Sequence, residues 1–453
     1  VLRQLQRELS FLTQRFQKLC PLSFQQVAQQ LCRLQLRRLT GGLLLMALVS
    51  SNGLLAQSTQ DASQLFQSYQ DRLFQIRTID IASGSKASIG SGFAIDSEGT
   101  IATNYHVVSK YILHPDEYYL EALTFDKKKI PIDVISIDVV NDLALVKLDS
   151  PISKDFLSLA TNEPQKGEQI FSLGNPRDLG MTVVPGTFNG RTAHSYYGRI
   201  LFSGSVNPGM SGGPVINNKG EVIGVNVATS GNQISFLVPL DKLKQLLETG
   251  KSSEESLSDQ AYDQLKTNQN LLMQRLFEGQ WQPMALGDAQ VIGELTGFIS
   301  CWGESNKRRE EQFNEVYRRC KNSEYIYIAP DFYTGIIEME FFWYESEKLS
   351  NWQFYKMLND SFASASAGNM AGEEHVTEFS CDDEFVQSDN SKHISKTIYC
   401  VREYKQFPGL YDVLFLSSTV NLQQKALVSH YTISGIEQKQ AEQFLKRFME
   451  QVQ

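Results

Sequence analysis

Closely spaced pairs of cysteine or histidine are missing from this sequence, and with them the usual ligand patterns of a zinc site. Histidine itself is scarce, with six in 453 residues, so chemistry that needs an imidazole base has few candidates. Internal repeats and low-complexity tracts are absent, which excludes solenoid and collagen-like chains. Also missing is an apolar run of roughly 20 residues, the length a membrane-spanning helix needs. Nothing in the composition calls for a metal or cofactor.

Positive charge is in deficit except at the start. Residues 1–56 hold seven basic residues and one acid, then the run Gly41-Gly42-Leu43-Leu44-Leu45-Met46-Ala47-Leu48-Val49, then small residues ending at Ala56. Basic flank, short apolar stretch and small residue are the layout of a secretory signal peptide, with an uncleaved signal anchor as the alternative. The basic part is long for a signal, and the chain begins with Val, so the expected leader includes an over-extended start. Without it the chain keeps 35 basic residues against 50 acidic ones, which argues against a nucleic-acid partner. Cysteine usage points the same way. Beyond Cys20 and Cys32 only Cys301, Cys320, Cys381 and Cys400 remain, and an even number in an exported chain suggests two disulfides. Pairing of neighbours, Cys301–Cys320 and Cys381–Cys400, is the expectation among three connectivities. The expected location is periplasmic or secreted.

The length implies two domains. Residues 57–250 form the first, opening with an amphipathic helical stretch through Leu65, Phe66, Leu73, Phe74 and Ile76. From 87 to 240 short apolar runs are punctuated by Gly, Pro, Asn and Asp, the texture of a β sandwich or barrel. Helical spacing returns at Leu240, Leu243, Leu246 and Leu247. Residues 251–282 read as a linker and a helix. Residues 283–453 read as a separate α+β domain, with a helix over 306–319, a strand pair at 325–328 and 336–341, strands near 395–404, 411–420 and 425–433, and a last helix over 436–451.

Three residues stand out for chemistry. Ser211 lies in Gly209-Met210-Ser211-Gly212-Gly213-Pro214, where Gly209 can take backbone angles closed to other residues. The amides of Gly209 and Ser211 would then form an oxyanion hole, and Gly212 and Gly213 would let a substrate backbone approach. His106 follows the apolar run Thr100-Ile101-Ala102, with His194 as competitor. Asp142, directly before Leu143-Ala144-Leu145-Val146, is the expected orienting acid, with Asp138 and Asp133 as alternatives. Nucleophile, base and acid in the chain order His, Asp, Ser select the chymotrypsin-like arrangement over the α/β-hydrolase and subtilisin orders.

Six motifs in order carry a resemblance: Ser91-Gly92-Phe93, Thr103-Asn104-Tyr105-His106-Val107-Val108, Asp142-Leu143-Ala144-Leu145, Leu173-Gly174-Asn175-Pro176, the run around Ser211, and Ile234-Ser235-Phe236-Leu237-Val238-Pro239. Over 87–240 the chain resembles the HtrA/Deg-like trypsin-like serine peptidases. The resemblance implies an all-β double β-barrel of chymotrypsin type, with the site between the barrels and the catalytic roles on His106, Asp142 and Ser211. It implies a primary pocket walled by 203–207 and 234–236, including Ser205, Ile234, Ser235 and Phe236. No acid stands there, so the expected preference is for small or apolar residues at the cleavage site. Two features depart from the family. No PDZ domain is recognisable, and Met210 stands where digestive enzymes use an aspartate in zymogen activation.

The expected activity is therefore that of an exported serine endopeptidase acting on proteins or peptides, including unfolded ones. The alternative is a catalytically weak binding or chaperone-like protein on the same fold. The aromatic residues of the second half, Trp302, Tyr325, Tyr327, Phe332, Tyr333, Phe341, Phe342, Trp343 and Tyr344, read as core, or else as a module that grips substrate or a cell-envelope partner.

Overall fold

The computed structural model describes residues 62–149, 155–231, 233–250, 255–306, 311–363, 366–387 and 393–453. The expected leader, with Cys20 and Cys32, lies outside the described residues, as does most of the polar stretch after Gly250.

A short helix, α1 (Ala62–Tyr69), buries Leu65 and leads into β1 (Leu73–Asp80). The amphipathic stretch expected to be one helix thus divides. Leu73, Phe74 and Ile76 belong to the strand, where the barrel interior and a flanking layer bury both faces. Strands β2 (Lys86–Ala94) and β3 (Thr100–Thr103), helix α2 (Tyr105–Leu113), and strands β4 (Tyr118–Leu123), β5 (Lys129–Asp138) and β6 (Leu143–Leu148) complete the first barrel. It closes in the order β1-β2-β3-β6-β5-β4. The second barrel uses β7 (Gln169–Gly174), β8 (Thr182–Arg191), β9 (Ile200–Phe202), β10 (Pro214–Ile216), β11 (Val222–Gly231) and β12 (Ile234–Pro239), closed in the order β10-β11-β12-β9-β8-β7. All pairings are antiparallel, and closure leaves neither barrel with an open strand edge. This is the chymotrypsin-like double barrel. Leu173, Phe202, Met210, Val215, Val225 and Leu237 fill the second barrel and are wholly buried.

Helix α3 (Leu240–Thr249) closes the second barrel with Leu240, Leu243 and Leu246. Helix α4 (Leu257–Glu278) starts at Ser256, whose hydroxyl accepts the Asp259 N–H at 3.1 Å and so satisfies a first-turn amide. A hairpin of β13 (Pro283–Leu286) and β14 (Ala289–Ile292) follows, then β15 (Ile299–Ser305) and β16 (Asn314–Asn322). A second hairpin, β17 (Ile326–Ala329) and β18 (Phe332–Thr334), interrupts the main sheet before β19 (Ile337–Glu345), helix α5 (Asn351–Ala363), strands β20 (Ser380–Gln387), β21 (Ile394–Glu403), β22 (Tyr411–Thr419) and β23 (Lys425–Ile436), and helix α6 (Gln438–Gln451). The main sheet has seven strands in the order β15-β16-β19-β23-β22-β21-β20. Alternation along the strands gives each face its own cover. Phe341, Phe415 and Tyr431 meet Phe448 of α6, and Tyr344, Leu416 and Val428 share a cluster with Phe354 and Leu358 of α5. Disulfides Cys301–Cys320 and Cys381–Cys400 each tie an outermost strand to its neighbour at directly opposed positions.

Two expectations for this half need correction. The helix foreseen over 306–319 is not formed among its described residues: residues 314–322 are strand β16. Its charged start resembles a helix face, but β15 and β19 pair with it on both sides, and that pairing overrides local preference. The strands at 325–328 and 336–341 do not pair with each other; β17 pairs with β18, and β19 with β16 and β23. Helix α5 and strands β15 and β20 were not foreseen.

The apolar core of the first barrel does not stop at the barrel. Tyr105, Val108 and Val139 share one cluster with Leu265 of α4, Ile326, Ile328 and Phe332 of the second hairpin, and Tyr404, Phe407 and Leu410.

Candidate active site

The strand-to-helix junction after β3 positions His106. Asn104 is extended and ends the strand; Tyr105 begins α2, so His106 sits in the first helical turn rather than at a strand end. First-turn amides have no partner within their own helix. Asp142 supplies one. Its carboxylate accepts the His106 backbone N–H at 2.9 Å through Oδ1 and meets His106 Nδ1 at 2.7 Å through Oδ2. One side chain thus caps the helix and orients the imidazole. The negative charge also suits a helix N-terminus.

Asp142 reaches this position from a tight turn in which it takes φ +60°, a conformation that aspartate tolerates better than most residues. Its carbonyl accepts from Asn104 Nδ2 at 2.6 Å. Asp138, the alternative acid, holds the same turn instead: its oxygens accept the backbone and side-chain N–H of Asn141 at 2.9 and 2.7 Å. Burial raises its carboxyl above the ordinary range. Asp133 accepts from Tyr111 OH at 3.4 Å. The competitor His194 meets a carbonyl, that of Gly297 at 2.8 Å, and no carboxylate among the described residues.

Burial disfavours the charged form of His106. The charge and hydrogen bond of Asp142 outweigh it and leave the imidazole above its ordinary value of 6.5. The side chain remains 27% exposed, enough for a reactant to reach it.

Ser211 enters from the second barrel. Its carbonyl accepts the Ser91 N–H at 2.7 Å, which anchors it to β2 of the first barrel. Gly212, at φ +82°, lies so close to the junction of β3 and α2 that a Cβ would come within 2.3 Å of Thr103 Oγ1 and 2.8 Å of Asn104 N. Gly212 and Gly213 were expected to open the way for a substrate backbone. Their missing side chains face the protein instead: Gly212 faces Ser91, Thr103 and Asn104 and so lets the two barrels touch, while Gly213 faces the Leu173 carbonyl of its own barrel. Gly209 takes φ +95°, as its expected role requires. The Pro208 carbonyl is held by Arg177 N–H at 2.7 Å and the Gly209 carbonyl by Ser91 Oγ at 2.7 Å. Among the described residues the N–H groups of Gly209 and Ser211 have no hydrogen-bond partner, and neither has Ser211 Oγ.

The expected pocket residues divide. Ser205 and Ile234 are exposed and Phe236 is half-buried. Ser235 is buried, and its hydroxyl is committed to the backbone, donating to Gly204 O at 2.7 Å and accepting from Val206 N at 3.2 Å. Met210 lies wholly buried in the second barrel's core.

Other supporting residues escaped the sequence reading. Asn226, fully buried, bonds through its backbone to Gly212 and Gly213 and through its amide to Ser172 Oγ, Leu173 O and Met210 O, clamping the Ser211 loop. Ser91 and Asn175 belonged to recognised motifs but carried no assigned role; Ser91 Oγ accepts the Asn175 N–H at 2.9 Å. Asp331, Glu374 and His375 are a group that could hold a metal ion. His375 stacks on Phe332, and its Nε2 is in hydrogen-bond contact with Asp331 Oδ1 at 3.1 Å.

Comparison with known proteins agrees with this architecture. The trypsin-like peptidase domain family matches residues 90–225. Serine protease HTRA1B of Danio rerio is 34% identical over 168 residues, covering 35% of this chain and 34% of that protein. A probable periplasmic serine endoprotease DegP-like of Brucella suis is 35% identical over 171 residues, covering 35% and 32%. The putative serine protease HhoA of Synechocystis is 37% identical over 180 residues, covering 36% and 43%. The chain spans less than half the length of each. Over residues 90–225 the chain matches the trypsin-like peptidase domain, and in that region it is similar to HtrA-like serine proteases.

Proposed function

We propose that the chain is a serine endopeptidase in which Ser211 is the nucleophile, His106 the base and Asp142 the orienting acid. The observation that carries this reading is the Asp142 carboxylate bridging His106 Nδ1 and the N-terminal turn of α2, beside a loop that leaves two amides unengaged. With Asp142 at Nδ1, the imidazole keeps its proton there and presents Nε2 as the acceptor. Ser211 Oγ attacks the peptide carbonyl as Nε2 takes its proton; the carbonyl oxygen becomes an oxyanion facing the Gly209 and Ser211 amides. The C–N bond breaks, the amine leaves with the proton held by His106, and an acyl-enzyme ester remains. Water then repeats the sequence in place of Ser211 and releases the acid.

A fluorophosphonate probe tests the assignment directly. Covalent label is expected on Ser211, found by peptide mapping, and is expected to disappear in His106→Ala. Label that persists without His106 would mean that another group activates the serine.

Acidity gives a second check. Neutral His106 is the active form, so kcat/KM rises with pH, and its midpoint lies above 6.5 because Asp142 favours the imidazolium. Asp142→Asn removes that charge and lowers the midpoint. A midpoint that stays in place in the variant would separate Asp142 from the base.

The substrates are polypeptides cut after small or apolar residues, since no acid lines 203–207 or 234–236. Two disulfides and the expected leader support work outside the cytoplasm.

A further inference from the structure

The hairpin β17–β18 belongs in sequence to the second half of the chain, yet it touches the base. The Tyr327 ring lies 5.8 Å from the His106 ring, centroid to centroid, at 68°. Its hydroxyl reaches Ser109 Oγ, one helical turn beyond His106, at 3.5 Å, and the neighbouring Ile328 carbonyl accepts from Tyr105 OH at 3.3 Å. Burial first, and the Asp142 and Asp331 charges among the rest, push the Tyr327 hydroxyl up to about 12. Two more rings continue outward. Tyr333 packs edge-on to Tyr327 at 5.6 Å, and Tyr325 edge-on to Tyr333 at 4.9 Å. Exposure rises along this row, from half-buried Tyr327 and Tyr333 to Tyr325 at 58%.

An aromatic row that starts on a partly exposed catalytic base and ends in solvent is more than core. The hydroxyl of Tyr327 is directed to Ser109, and that of Tyr333 to the Pro330 carbonyl at 3.2 Å. What the row offers a ligand is ring surface. Asp142 and Asp331 lie close enough to act on Tyr327, so the surroundings disfavour an acidic side chain.

Resting on the catalytic roles proposed above, we infer that this hairpin is a wall of the substrate cleft. Tyr327, with Tyr333 and Tyr325 beyond it, forms a shelf that receives an apolar substrate side chain adjacent to the residue being cut. The second half of the chain would thereby set specificity.

The test uses the full chain and a peptide series with the cleaved residue fixed and each flanking position varied in turn among Leu, Gly and Glu. Parent protein is expected to favour Leu over Gly at one flanking position by at least about 10-fold in kcat/KM, with Glu poorest. Tyr327→Ala is expected to shrink that preference to within about 3-fold, while Tyr327→Phe retains it. Tyr325→Ala removes an exposed ring, leaves folding untouched, and should weaken preference at a more distant position. Tyr327→Leu serves if the alanine variant does not fold. Loss by the same factor for every peptide would overturn the shelf and leave Tyr327 as support for His106 alone. An unchanged preference in Tyr327→Ala would overturn it too. Fluorophosphonate labelling of Ser211 is read in every variant. If the parent chain is not labelled, the catalytic assignment fails first and the shelf with it.

Discussion

Ser211→Ala is expected to cleave unfolded casein about 10⁶-fold more slowly than the parent chain. The size of this loss follows from what the serine does. Without Oγ no acyl-enzyme forms, and His106 and Asp142 have no nucleophile to activate. What would survive is the oxyanion hole and the binding surface, which serine peptidases show to be worth about 10³–10⁴ over uncatalysed hydrolysis. The variant should fold as the parent does, because Ser211 Oγ makes no hydrogen bond among the described residues, and what anchors the loop is its backbone and the Asn226 clamp. Turnover measured by release of acid-soluble peptide, with a melting curve as the folding control, decides it. Equal cleavage by parent and variant would place the nucleophile elsewhere.

The candidate site was largely legible because its parts are bound to local sequence. Gly209 needs a positive φ, Ser211 lies in a loop with little freedom, and Asp142 must precede the buried strand β6; each constraint is written within a few residues. The choice of Asp142 over Asp138 shows the limit. Both aspartates stand beside the same turn, four residues apart. Only the fold shows that Asp138 serves the turn while Asp142, at φ +60°, points to α2.

Contacts made over long sequence separations were not legible. Nothing local marks Asn226 as the clamp of a loop centred fifteen residues earlier. Nothing marks Tyr327 as a neighbour of His106, since an aromatic residue in a β strand reads as core. The second half misled for a related reason. Its charged segment at 306–319 has helical spacing, but β16 exists because β15 and β19 flank it, and that pairing information is spread over residues 299–345.

The same long-range contacts give the second large effect. A chain ending at Gly250 keeps both barrels and every residue of the proposed triad, yet it is expected to yield little soluble protein and no Ser211 label. Truncation strips the cover from Tyr105, which is fully buried and bonded to the Ile328 carbonyl in the full chain. It removes Gln264, whose amide accepts from Val139 N–H at 2.8 Å and donates to Ile137 O at 2.7 Å, holding the strand end that leads into the Asp142 turn. It removes Asn268 from the hydroxyl of buried Tyr197, and the hairpin from its contacts with Tyr105, His106 and Ser109 of α2. Each large side chain newly exposed forfeits about 1.5–3 kcal/mol. A few of them consume most of the 5–15 kcal/mol by which a domain is usually stable. The losses fall on the two elements, α2 and the turn before β6, that hold His106 and Asp142 together. Soluble yield, thermal melting and fluorophosphonate labelling of the truncated and full chains measure the effect. A truncated chain that melts at the parent temperature and labels at the parent rate would mean that the barrels hold His106 and Asp142 unaided, and that the second half is an appendage rather than part of the frame that holds the site.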